Sequence, residues 1–238
     1  MRPFGLFCLT STNSDSPSAP DWRLIKPPSA APGLADALRE RVRSLHTLAE
    51  RGGIVSDVLN GKAAVSGYMI LLGNLLPCYE ALETALTQYR HSALLGPLAQ
   101  PMLYRSDCIR ADLQRYAPDW PSVAALDEGR AYAAKITACV HGDGQTLIAH
   151  AYARYLGDLN GGTVILRRLQ PQLGGQALQF HVFAEIADLA AFRLEYRAAF
   201  DRAGEMLPDW SLVLDEAALA FRMNIALSEA VKKASASF

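Results

Sequence analysis

From Gly33 almost to the C-terminus the apolar residues recur at helical spacing, and nowhere do they alternate with polar residues over a sustained run. That periodicity is the strongest constraint on the fold. A half-buried strand needs a period of two, and an amphipathic helix needs one near 3.6. The pattern therefore predicts an all-α chain. Leu34, Leu38, Val42, Leu45 and Ala49 make the apolar stripe of a first helix over 34–50, ended by Gly52-Gly53. Further helices are expected over 54–60, 65–89 with Pro77 as a point of bending, and 94–116 with Pro97 and Pro101 disturbing its start. Others follow over 127–141, 146–169, 188–206 with Asp188 as cap, and 212–233. Pro118 and Pro121 mark a loop, and Gly174-Gly175 opens an irregular stretch. Residues 1–33, rich in Ser, Pro, Thr, Asn and Asp, read as a disordered arm, which leaves 34–238 as a single multi-helix domain.

Composition narrows the function. With 238 residues, 50% of them apolar, the chain can bury one substantial core. The net charge of −1 excludes a global basic field for nucleic acid, so any electropositive site is local. Cys8, Cys78, Cys108 and Cys139 form no C-x-x-C pair, which argues against a zinc or disulfide framework and for a reducing compartment, the cytoplasm. The apolar run 4–9 is shorter than a signal h-region, and Met69–Leu76 is broken by Gly73, Asn74 and Pro77, so no membrane segment is expected.

Two constellations carry chemistry. Arg39, Arg43, His46 and Glu50 share one face of the first helix. A solvated charged face with one surface histidine is the plain reading. The sharper one makes neutral His46 an iron ligand, with Glu50 orienting it. Arg39 and Arg43 then lie about 5 to 10 Å away along the helix, at a rise of ~1.5 Å per residue. The second constellation is Tyr152-Ala-Arg-Tyr-Leu-Gly-Asp-Leu-Asn-Gly-Gly162. Ala149, Ala153, Gly157 and Gly161 recur every four residues, a stripe of small residues, although each interior Gly costs a helix about 1 kcal/mol relative to Ala. A C-cap at Gly161-Gly162 or close helix packing are the structural readings. The functional one is a bare backbone against which a flat ring can lie.

Here the chain resembles a known family. Leu45-His46-Thr47-Leu48-Ala49-Glu50 is similar to the proximal helix of heme oxygenases, and Ala149-His150-Ala151-Tyr152-Ala153-Arg154-Tyr155-Leu156-Gly157-Asp158-Leu159-Asn160-Gly161-Gly162 to their long distal signature. The resemblance runs from about Leu34 to Leu227. It implies heme sandwiched between a proximal and a glycine-kinked distal helix, with His46 as axial ligand and Glu50 its polar neighbour. By the same resemblance, Gly157 and Gly161 lie over the distal face. Asp158 organises the water that delivers protons, supported by Arg154 and Tyr79. Arg39, Arg43, Arg193, Arg197 and Tyr152 meet the propionates. Phe221 and Asn224 serve packing and helix anchoring.

The implied activity is cleavage of heme, both substrate and cofactor, by O₂ to biliverdin, CO and iron. An external electron donor, a ferredoxin or a reductase, is required, and a bilin-accepting protein is a further partner to consider. Asn160 stands where many members have Ser, and Val55 and Val58 replace larger side chains, which implies a looser pocket floor. A non-catalytic heme carrier or sensor on the same fold is the alternative, but storage has no use for Asp158, Arg154 and Tyr79. A di-iron site would need Glu-x-x-His pairs, and none of the five histidines has Glu three residues before it.

Overall fold

The computed structural model describes residues 32–120 and 125–236. The arm expected over 1–33 lies outside the described residues except for Pro32 and Gly33, as do Cys8 and the loop proline Pro121. Nine α-helices are present among the described residues, with no strand: α1 (Leu34–Arg51), α2 (Gly53–Leu59), α3 (Val65–Gln88), α4 (Ser106–Tyr116), α5 (Asp127–Ala138), α6 (Leu147–Ala151), α7 (Gly157–Leu169), α8 (Leu189–Glu205) and α9 (Ser211–Ser235). The all-α expectation holds. None of the helices is long and apolar enough to cross a membrane.

Helix α3 is the axle. Apolar nearly all round, it buries residues on every side, from Tyr68 to Leu86, as a helix at the centre of a bundle must. It runs through Pro77 without ending, and the backbone bond lost there is the one to Gly73. Helices α4, α5, α6 and α9 pack around it, and α1 and α2 lie on α9. Buried polar groups pin these contacts. Asn74 accepts from the Leu126 backbone N–H at 2.7 Å, just ahead of α5, and donates to Ile70 O at 2.9 Å.

The long helix expected over 94–116 is shorter than its periodicity suggests. Residues Gly96–Leu98 and Pro101–Leu103 are two 3₁₀ turns instead. Pro97 and Pro101 lack the N–H that an α-helix would use and favour helix starts over interiors. The α-helix begins only where Glu83 of α3 serves as a cap supplied from outside. Its carboxylate accepts from the N–H of Arg105 at 2.5 Å and of Ser106 at 3.0 Å. The cap expected at Asp188 is present: its Oδ1 accepts from Ala190 N–H at 3.0 Å and Ala191 N–H at 2.9 Å.

The segment expected as one helix over 146–169 is continuous but not uniform. Between α6 and α7, residues Tyr152–Leu156 form a π-helical turn. The departure from α geometry thus precedes the glycines, and Gly157 itself has ordinary helical dihedrals of −60° and −50°. A wider turn shifts the register, so the stripe of small residues divides. Ala149 and Ala153 are buried, whereas Gly157 is exposed.

One glycine is fixed by the fold. Gly53, where α1 turns into α2, has φ +61°, and a Cβ there would lie 2.5 Å from the backbone carbon of Ser228. Gly61 has φ +69° with nothing near it. A left-handed residue with a Cβ costs about 1–2 kcal/mol, which is all that Gly61→Ala should lose. Gly53→Ala adds the collision with α9 and should lose at least twice as much. Urea unfolding of both variants measures this, and equal losses would mean that the α2–α9 approach is not tight.

Candidate functional site

Helix α9 brings the two sequence constellations together. Phe221 and Asn224 sit three residues apart, on one face of α9. The Phe221 ring lies 6.0 Å from that of His46, centroid to centroid, and the Asn224 Oδ1 accepts from Arg154 Nη2 at 2.9 Å. The anchoring expected of these two residues is therefore observed. His46 of α1 and the signature segment face the same side of the bundle.

His46 is exposed, its side chain 58% accessible, with Nδ1 3.6 Å from Glu50 Oε1. That is too long for a hydrogen bond. Glu50 stands beside the imidazole without fixing it in this structure. Gly157 and Gly161 present bare backbone: a Cβ built on either meets nothing within 4 Å. An exposed imidazole and an open, side-chain-free stretch of helix fit a flat, iron-bearing ligand.

Behind the glycines the site is buried and charged. Tyr79 of α3 is fully buried and donates to Asp158 Oδ2 at 2.6 Å. Burial lifts the Asp158 carboxyl to about 6, against the charge of Arg154 and the Tyr79 hydrogen bond, which hold it down. Burial first, then the Asp158 charge, pushes the Tyr79 phenol well above its ordinary value. Tyr79 is therefore the donor. Arg154 is buried, with its guanidinium carbon 6.0 Å from the Tyr79 ring and 5.8 Å from that of Tyr132. Asn160 donates to Leu156 O at 2.7 Å, at the end of the π turn.

The basic positions divide. Arg39 and Arg197 are close enough to Tyr152 to act on it. Burial raises its phenol while these two charges lower it. Arg197 pairs with Asp36 at 2.7 Å, rather than with Asp201 one turn along its own helix. Arg193 Nη1 reaches Leu159 O of α7 at 3.4 Å. Arg43 pairs with Glu40 within α1.

Sequence reasoning missed two buried groups. Tyr68 and His181 are joined at 2.8 Å, and the lone His181 in an irregular stretch gave no signal. His150, met only as part of the signature, bonds Glu216 at 2.9 Å. With Cys139 these residues form a cluster of metal-ligand spacing, their donor atoms within 4.8 Å of one another. The Lys135 ammonium, 3.0 Å from Glu216, already supplies the positive charge. The cluster reads as an internal ion pair tying α5 and α6 to α9.

Known proteins resemble the chain over this same span. Heme oxygenase 1 of Synechocystis sp. is 33% identical over 198 residues, covering 81% of this chain and 82% of that protein. Human heme oxygenase 1 is 31% identical over 216 residues, covering 87% and 75%. The crystal structure of the Synechocystis heme oxygenase-1 in complex with heme superposes with a TM-score of 0.78 at 30% identity, covering 87% of this chain and 95% of that one. The sequence pattern described as heme oxygenase matches residues 32–230, a span that holds every site residue named above, and the chain belongs to the heme oxygenase family.

Proposed function

We propose that the chain opens the heme ring with O₂ and externally supplied electrons, releasing biliverdin, CO and iron. The observation that carries this reading is the open backbone at Gly157 and Gly161 directly beside the hydrogen bond from buried Tyr79 to half-buried Asp158. A carrier would need the first and not the second. Bound heme supplies the iron that activates O₂ and the carbon that is oxidised.

The chain's own residues do the rest. His46 offers a neutral imidazole from the proximal side, with Phe221 against its ring. Gly157 and Gly161 let the ring approach the α7 backbone more closely than any side chain would allow. Asp158 holds water in the pocket and passes protons through it. Its carboxyl sits near 6, so it is mostly ionised, and able to order water, at neutral pH. Tyr79 fixes one carboxylate oxygen, and Arg154 keeps the carboxylate charged. Arg39, Arg197, Arg193 and Tyr152 form the rim for the propionates, with Arg43 behind them. Electrons come from a ferredoxin or a reductase, and a bilin-binding protein is a fitting acceptor for the product. The free thiols of Cys78, Cys108 and Cys139 support a cytoplasmic setting.

Three experiments test these assignments. His46→Ala should lose the iron–nitrogen stretch in resonance Raman and most turnover, with partial rescue by imidazole; an unchanged stretch places the ligand elsewhere. Charge reversal at Arg193 or Arg197 should weaken heme binding or alter the biliverdin isomer ratio, and identical affinity and isomers in both variants would remove them from the rim.

The third follows from the carboxylate. Water ordering needs Asp158 ionised, so turnover should fall as the pH drops through about 6. Tyr79→Phe removes a hydrogen bond that stabilises the charged form, so this acid limb should move to higher pH. Asp158→Ala should still bind heme through His46 yet make little biliverdin. An acid limb indifferent to both substitutions, or full turnover in Asp158→Ala, refutes the role.

A further inference from the structure

Tyr68 and His181 form a second buried polar pair, for which the mechanism above has no task. They are 2% and 8% exposed. His181 stacks on Tyr68 at 5.9 Å and meets Phe180 edge-on, and Phe180 in turn meets Tyr79 edge-on at 5.5 Å. The run from Tyr68 to Tyr79 is continuous. Asp112 of α4 fixes the turn that carries His181 by accepting from Gln179 N–H at 2.8 Å and Phe180 N–H at 2.9 Å.

The pair has one hydrogen too many. His181 is neutral, because burial and then the Arg105 charge push its pKa down to about 3. It carries one N–H and Tyr68 one O–H, yet a single bond joins them. If Tyr68 donates, the histidine proton sits on Nδ1. That atom is buried, has no hydrogen-bond partner, and lies where a Cβ on Gly162 would come within 2.8 Å of it. An N–H pressed against a helix backbone cannot be satisfied there. If His181 donates from Nε2, Nδ1 turns only a lone pair toward Gly162, and the spare hydrogen belongs to the Tyr68 hydroxyl.

That hydrogen needs an acceptor. Gly162, which His181 abuts, lies one turn along α7 from Asp158, and of the charged groups acting on Tyr68 the Asp158 carboxylate comes first, ahead of Asp112 and Arg154. Each oxygen of Asp112 holds one backbone N–H of the turn that carries His181. Asp158 gives Oδ2 to Tyr79, which leaves Oδ1. We propose that Tyr68, turned by His181, donates through one buried water to the Asp158 carboxylate, making both residues positioning groups for the carboxylate that orders the pocket water. Its bearing on catalysis rests on the reading of Asp158 given above. Gly162 belongs to the device, since any side chain there would displace His181.

The test needs no heme. The Asp158 carboxyl is titrated by ¹³C NMR in the full unloaded chain, with its signal assigned by Asp158→Asn. Tyr68→Phe should raise its pKa by about 0.5 to 1 unit, the size of one lost hydrogen bond. His181→Phe should do the same, and the double variant no more than either alone. His181→Gln, whose amide can donate in place of Nε2–H, should stay near the wild-type value. A carboxyl unmoved in both Phe variants, or additive shifts, overturns the proposal. The acid limb of turnover separates the two readings: if the NMR shifts occur and the limb stays in place, the Tyr68 link stands and the water-ordering role of Asp158 in turnover fails.

Discussion

The buried guanidinium of Arg154 sets the terms for the rest of the molecule. A charge taken out of water costs several kcal/mol unless it is paired and bonded. Three helices meet part of that demand, while Nε of Arg154 stays buried without a hydrogen-bond partner. Helix α3 brings the face of Tyr79, α5 the face of Tyr132, and α9 the amide oxygen of Asn224. Helices distant in sequence are thereby drawn to one point. Because Asn224 shares a face of α9 with Phe221, holding Arg154 also sets where His46 finds its aromatic neighbour.

Asp158 shows the cost of keeping a proton-active group inside. Its native pKa of about 6 stands above the ordinary carboxylate value. Between roughly pH 4 and 6 the folded chain therefore binds more protons than the unfolded one, so this residue favours folding as the pH falls and opposes it near neutrality. The ion pair of His150, Glu216 and Lys135 works in the other direction, as a buried link whose charges are matched. The same helix segment thus contains one polar group arranged for stability and another held at its expense.

Much of this was legible in the sequence. The stripe from Leu34 to Val42, the cap at Asp188 and the loop at Gly174-Gly175 are local signals, and local chemistry decides them. The glycines of the signature segment stood out because they are expensive in a helix, whereas Arg154, Asp158 and, on the last helix, Asn224 were marked by the resemblance to the family. The remainder depends on partners far along the chain. Helix α4 starts at Ser106 because Glu83, 23 residues earlier, caps it. Arg197 chose Asp36 over Asp201 because α1 lies alongside. Tyr68 and His181 are 113 residues apart, and no periodicity connects them. The division of the small-residue stripe was hidden for another reason: a helical wheel drawn at 3.6 residues per turn assumes the uniformity that the π turn breaks.

That turn has a consequence for how such a chain can vary over time. One residue more or less in a helix rotates everything beyond it by roughly 100°. Losing a residue between Arg154 and Asp158, if the π turn did not take it up by tightening to α, would swing Asp158 and the two open glycines away from the pocket. The segment therefore tolerates exchange of letters far better than a change of length. Insertions and deletions have room around Gly174 and Gly175, where a Cβ would meet nothing within 4 Å. Across 147–169 the spacing, more than the identity of any one residue, holds the two halves of the site in alignment.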